Sequence, residues 1–378
     1  MAKFSTASLL RESHHDPADP RADFALVAAR IDRWLLNGPP QQHAGEHAGA
    51  VAGMLTQGDG ALYVYPEITG YYLQWLAWRS RHHRSEADRQ PFRERACAAA
   101  GWLAHWAASK HPRTRVHLAG SVDDWRNEAL FTFDLAMGLW GIASATRHAL
   151  IAPEPETVQA FCTMLCDLVG ADGEFDACRT FGGRVVPRRW STNRGAYLAK
   201  AAAGVLRAAE ILPIPAVLVE AAARSFNHSV TQLLRDPHDE MHPLLYAYEG
   251  ALSCGQRTVA SNHLADLCVR FSALWDAAES AGRVPELCSA PDGTERLDVL
   301  AQMVRIARLL GRIDGLADRW TVAWAQRRLA DSVAPDGSVP FARNAAGTMN
   351  VWAAMFASQA LGGMDADVTA DADDPLIV

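Results

Sequence analysis

The chain has 378 residues, of which 49% are hydrophobic and 21% charged, and its formal net charge is -7. This composition supplies a substantial core for one large domain or two ordinary ones and excludes a disordered chain. The acidic balance offers no general attraction to nucleic acid or an anionic membrane. No stretch has the ~20 apolar residues of a membrane helix, and the seven scattered cysteines suit a reducing cytoplasm rather than a disulfide framework.

Residues 1–22 are polar ("HHDPADPRAD") and are expected to form a flexible lead-in without the apolar run of a secretory leader. The stretch "DFALVAARIDRWLL" (23–36) places Phe24, Val27, Ile31 and Leu35 on one helical face, with Asp23 as a cap. Further helices are expected at 44–55, 67–82, 92–109, 125–149, 155–170, 195–211, 215–235, 242–253, 260–281, 294–311, 316–332 and 349–361. Alanine fills many of them ("RACAAAGWLAHWAA", "YLAKAAAGVLRAAE"), which favours helix and lets helices approach closely. Strand patterns are almost absent, "GRVVPRR" (183–189) being the best candidate, and 363–378 reads as a polar tail.

The punctuation between helices is informative. Asp-Gly recurs at 59–60, 172–173, 292–293 and 336–337, and an aromatic follows closely in three of the four. Asp-Gly makes tight turns because glycine accepts positive φ and aspartate bonds its own backbone. Helix, turn, short extended piece, helix is a hairpin unit repeated at uneven spacing. Paired helices with irregular connections at one end suggest an all-α fold: an α/α toroid of about twelve to thirteen helices in inner and outer rings, in a single domain over 23–362. An ordinary helical bundle fits the same punctuation.

The chain resembles the α/α-toroid superfamily that includes six-hairpin glycosidases, N-acylglucosamine 2-epimerase-like proteins and squalene-cyclase/prenyltransferase-like toroids. The resemblance rests on "YPEITGYYLQWL" (65–76), "FTFDLAMGLWGIASA" (131–145), "HPLLYAYEGAL" (242–252) and "DGSVPFARNAAGTMNVWAAMFASQAL" (336–361). It implies a cavity lined by the loops at one end of the inner helices, so residues just before a helix become candidates.

Four places qualify. In "YPEITGYY", Pro66 opens a helix and Glu67 lies in its first turn, either as a helix-start carboxylate or as an acid at the cavity mouth. Tyr65, Tyr71, Tyr72 and Trp75 are either core or a wall for a sugar face. In "AGSVDDWRNEALFTFD", Asp123 and Asp124 sit at a loop–helix junction, with Trp125, Arg126 and Asp134 following; Ser121 breaks the DxDD acid of terpene cyclases, and "DADD" (371–374) matches it only by chance in the tail. In "FGGRVVPRRWSTNRGAYLAK", Trp190 and Arg194 join other arginines that dock an anionic group or balance nearby acids. In "HPLLYAYEG", His242, Tyr246 and Glu249 share a helical face and form either a proton-handling set or a buried network.

No GxGxxG or GxxxxGK[ST] loop, GxSxG elbow or Cys/Cys/His zinc set is present, so neither a cofactor nor a metal is expected. Cys162 and Cys166, one turn apart, read as structural thiols. The expected partner is a small-molecule or glycan substrate, handled by hydrolysis, epimerisation or elimination. A cyclase or prenyltransferase with an apolar chamber and a non-catalytic glycan- or peptide-binding toroid are the alternatives.

Overall fold

The computed structural model describes residues 20–362, apart from 57–59, 84, 121, 237, 259–260, 314–320 and 346. Most of the lead-in, all of the tail with its "DADD", Ser121 and Asp59 of the first Asp-Gly turn therefore lie outside the described residues. Among the described residues there are twelve α-helices: α1 (Pro20–Asn37), α2 (Pro66–Ser80), α3 (Glu86–Ala107), α4 (Thr132–Arg147), α5 (Pro155–Cys166), α6 (Leu198–Ala209), α7 (Ala216–Arg235), α8 (Met241–Thr258), α9 (Ser261–Ala281), α10 (Leu297–Ile313), α11 (Ala323–Ala330) and α12 (Val351–Gly362). The strands are short: β1 (Ala52–Thr56), β2 (Gly60–Val64), β3 (Val116–His117), β4 (Ala129–Phe131), β5 (Cys178–Thr180) and β6 (Thr348–Asn350).

The even-numbered helices pack in a closed ring, α2 on α4, α4 on α6, α6 on α8, α8 on α10, α10 on α12 and α12 back on α2. The odd-numbered helices lie outside: α1 packs on α12, α3 on α2, α5 on α4, α7 on α6 and α11 on α10. On α9, the ring of Phe271 meets Tyr248 of α8 edge-on at 5.5 Å. This is an α/α toroid. The layering follows from the sequence. Residues 132–145 of α4 and 351–361 of α12 are all buried, as is all of α2 except Arg79, which is what helices apolar on every side require. In the outer helices α3, α5 and α7 only a stripe is buried.

Glycines set the closest contacts in the ring. A Cβ on Gly70 would lie 2.4 Å from the Met137 carbonyl oxygen, and one on Gly250 would lie 2.2 Å from the Lys200 backbone nitrogen. Neither α2–α4 nor α6–α8 could close as tightly with a side chain there.

Each outer helix returns the chain, so the inner helices run parallel, with their N-termini at one end. Strands gather at that end. An antiparallel sheet in the order β3-β2-β1-β6 feeds α2 from β2 and α12 from β6, and the β4–β5 pair feeds α4.

The expected helix at 44–55 is absent. Gly45 and Gly49 hold positive φ, and β1 pairs with both β2 and β6 instead. The expected helix at 125–149 begins at Thr132, because 129–131 pairs with 178–180 as β4. The stretch 183–189 forms no strand; its Pro187 lacks the N–H a ladder needs.

Candidate active site

Three inner helices each turn a polar ridge toward the ring axis, with residues one and two turns apart. On α2 the ridge is Glu67, Tyr71 and Gln74; on α8 it is His242, Tyr246 and Glu249; on α10 it is Asp298, Gln302 and Arg305. All nine are buried. The helix N-termini thus place Glu67, His242 and Asp298 in their first turns at the mouth, where Asp134 joins them from the first turn of α4.

Two carboxyls meet there. Tyr65, at the N-cap of α2, donates its hydroxyl to Asp134 Oδ1 at 3.2 Å and also reaches Glu67. A phenol has one proton to donate, so both contacts close only if one carboxyl carries a proton and donates back. Burial raises Glu67 to about 7, opposed by hydrogen bonds from Tyr65 and Tyr246 and by the charges of Lys200 and Arg115. Asp134 is held well above the carboxylate range, first by burial and then by the charge of Glu67. Its Oδ2 is buried and makes no hydrogen bond within the described residues.

Deeper in the ring Lys200 Nζ, fully buried, lies 2.7 Å from Glu249 Oε2, and Arg305 Nη1 lies 3.1 Å from Glu249 Oε1. The Lys200 ammonium sits 4.6 Å from the ring centres of both Tyr71 and Tyr246. Burial lowers Lys200 to about 8, against the pull of Glu249.

Gln302 links this layer to the mouth. Its Nε2 donates to Glu249 Oε2 at 3.2 Å, and its Oε1 accepts from His242 Nδ1 at 2.8 Å. That bond leaves the imidazole lone pair on Nε2. Burial and the charge of Arg296 push His242 down to about 4, so the ring is neutral at neutral pH. Burial would raise Asp298, but Arg296 at 2.6 Å and the Trp352 indole N–H at 2.8 Å help hold it at about 2.

The rim carries aromatics and cations. Asp124 caps the short turn Trp125–Glu128 and pairs with Arg126 at 3.1 Å, His117 at 3.4 Å and Arg115 at 3.7 Å. The Arg115 guanidinium stacks over Tyr63 at 4.5 Å and reaches Tyr65, and that of Arg126 covers Trp125 at 4.5 Å. Trp190 stands edge-on to His242 at 6.1 Å and to Tyr197 at 5.0 Å.

Of the residues singled out from sequence, Tyr65, Glu67, Tyr71, His242, Tyr246 and Glu249 converge on the axis, and Asp124, Trp125, Arg126 and Trp190 lie around the rim. Tyr72, Trp75 and Arg194 lie apart from this convergence. Tyr72 and Trp75 are fully buried in the core. They face away from the Glu67 ridge and stack on each other, with Tyr72 donating to the Leu35 carbonyl and Trp75 to Ser358 Oγ. Arg194 is clamped by Asp172, and by Asp176 at 2.8 Å.

Asp134, Lys200, Gln302 and Arg305 also stand at this axis, with no role assigned to them by sequence pattern alone. Their signal was present: a lone lysine within "YLAKAAAG", and Asp298, Gln302 and Arg305 at helical spacing in an apolar helix. Among the described residues no three His, Cys, Asp or Glu side chains gather as metal ligands would, and the seven cysteines form no disulfide with one another.

No protein-family model matches this sequence, and no curated protein is similar to it. Solved structures are similar in fold. A D-mannose isomerase superposes with a TM-score of 0.65 at 12% identity, covering 91% of this chain and 99% of its own. The cellobiose 2-epimerase of Spirochaeta thermophila DSM 6192 gives 0.64 at 13%, covering 91% and 97%. A glycosidase variant in complex with glucose gives 0.62 at 13%, covering 90% and 96%. The toroid of this chain therefore matches theirs over nearly its whole length. No described helix is long and apolar enough to cross a membrane.

Proposed function

We propose that this protein is a carbohydrate-active enzyme that moves a proton on a sugar held at the mouth of the ring. The observation that carries this reading is the buried Glu67–Asp134 pair bridged by Tyr65. A carboxyl held at about 7 both takes and returns a proton at neutral pH, as epimerisation, hydrolysis and elimination each require. Glu67 is the transferring group and Asp134 its protonated partner. His242 Nε2 accepts from a substrate hydroxyl. Trp190, Tyr63 and the Arg126-covered Trp125 form the walls against which a sugar face stacks.

This assignment moves proton transfer away from Glu249, both of whose oxygens are taken by cations. The sugar-handling neighbours in fold support the substrate class. The charged axis disfavours a terpenoid chamber, which needs an apolar lining.

The test is incubation with mannose, glucose, cellobiose and aryl glycosides in deuterated water, followed by proton NMR. Conversion of one sugar, reduced about 100-fold or more by Glu67→Gln, is the expected result. Wild-type turnover by both Glu67→Gln and Asp134→Asn would sink the assignment.

A further inference from the structure

Three arginines stand beside the acids of the mouth, and two of them are taken up. Arg296 grips Asp298 through Nε at 3.1 Å and Nη2 at 2.6 Å. Arg126 donates to Asp124 Oδ1 through its backbone N–H and through Nη1, both at 3.1 Å. Arg115 differs. Its Nη1 lies 3.7 Å from Asp124 Oδ2, beyond hydrogen-bond distance, and its guanidinium makes no hydrogen bond among the described residues.

The fork is nevertheless held in place. It lies over the Tyr63 ring at 4.5 Å and reaches the Tyr65 ring at 5.7 Å. The Arg115 backbone N–H donates to Asn127 Oδ1 and its carbonyl accepts from Asn127 Nδ2, both at 2.8 Å. Nε is buried, but neither Nη nitrogen is. The open part of the side chain, which keeps 22% exposure, therefore includes the Nη1–Nη2 edge. Donors left without acceptors in a half-buried place are unfavourable, and a guanidinium edge fits a carboxylate with two parallel N–H···O bonds. Tyr65, beneath this fork, is also the residue that bridges Glu67 and Asp134. An anion on the edge of Arg115 thus lies one side chain away from the reacting carboxyls, within the breadth of one sugar.

Asp124 sets the charge that this edge accepts. It stands beside the fork and is shared with Arg126 and His117. A singly charged carboxylate meets one acid there that is already paired, whereas a doubly charged phosphate meets the same acid with twice the repulsion. Burial holds Glu67 and Asp134 toward their protonated forms, so they oppose an incoming anion less than two free carboxylates would.

We propose that Arg115 is a specificity-determining residue: its Nη1–Nη2 edge docks a carboxylate of the substrate, which is thereby a hexuronic acid or a saccharide carrying one. That the docked molecule is the one on which Glu67 acts rests on the function proposed above; that a uronate docks on Arg115 is measurable without turnover.

The experiment is calorimetric titration of the full chain with glucuronate, galacturonate and mannuronate, beside glucose, galactose, mannose and glucose 6-phosphate. At least one uronate is expected to bind about tenfold or more tighter than its neutral counterpart, with the excess shrinking in high salt. Arg115→Gln is expected to bring that uronate down to the affinity of the neutral sugar and to leave the neutral sugar's affinity unchanged. Arg115→Lys keeps a charge without the fork and is expected to retain only part of the preference. The proposal is overturned if no uronate binds, if uronate and neutral sugar bind alike, if the phosphate binds more tightly than every uronate, or if the preference survives in Arg115→Gln. Equal losses for both sugars would mark a merely structural arginine and overturn it too. If Arg115→Gln does not fold, Arg115→Lys decides, an undiminished preference being the refuting result. A uronate that binds through Arg115 and is not converted would refute the proposed function and leave the docking site standing. A neutral sugar converted through Glu67 while the uronates are ignored would do the reverse.

Discussion

Replacing Glu67 by glutamine is expected to stabilise the protein above neutral pH and to change little near pH 5. The free carboxyl of the unfolded chain loses its proton near 4.5, whereas the buried one holds it to about 7. Between those values the folded state binds more protons than the unfolded state, so stability falls as pH rises, and the full penalty is present above about 7. At about 1.4 kcal/mol per pH unit the rise amounts to about 3 kcal/mol. Glutamine has no charge to bury. Asp134 adds in the same direction, because part of its elevation comes from the charge of Glu67. Unfolding entropy near 2.1 cal/mol/K per residue gives ~0.8 kcal/mol/K for a chain of this size, so the gain at pH 8 is about 4 °C. Differential scanning calorimetry of both proteins at pH 5 and pH 8 reads it directly. A Tm gap that is equal at the two pH values, or a less stable variant at pH 8, would refute the reasoning. A site residue whose loss stabilises the fold marks a cost accepted for chemistry.

Three more outcomes follow from the geometry. Gly250→Ala should destabilise by about 1–3 kcal/mol in urea, because its Cβ would strike the Lys200 backbone across a rigid helix pair; unchanged stability would mean that α6 and α8 can separate. Tyr65→Phe removes a hydrogen bond that favours ionised Glu67, so the acid limb of the pH–rate profile should move to higher pH; an unmoved limb would take Tyr65 out of the pair. Arg194→Ala should cost under about 1 kcal/mol, since its partners are partly exposed, and leave sugar affinity unchanged by calorimetric titration; a tenfold weaker affinity would return Arg194 to the site.

The ring was legible in the sequence because its cause is local. Alanine-rich periodic segments and Asp-Gly turns are properties of neighbouring residues, and twelve of the thirteen expected helices are present. The helix expected at 44–55 failed because Gly45 and Gly49 turn the chain at positive φ and residues 54–56 pair with 348–350, far along the chain. The site was half legible for the same reason. The spacing of His242, Tyr246 and Glu249 puts them on one face, but nothing local says that Glu249 meets Lys200 and Arg305 rather than a substrate. Tyr72 and Trp75 sit one residue from the productive face of α2, and an aromatic cluster alone does not tell the two faces apart. Asp134 and Lys200 acquire meaning only when α4 and α6 stand beside α2 and α8.

The inner helices reach the mouth one by one, each behind its own connector, and the connector before α6 is long and irregular across 184–197. Loop-closure entropy grows only with the logarithm of length. Residues inserted there would reshape the space around Trp190 while the barrel wall kept its spacing. Preference for a longer or shorter saccharide is thereby separable from the machinery at the axis, and the two can be altered independently.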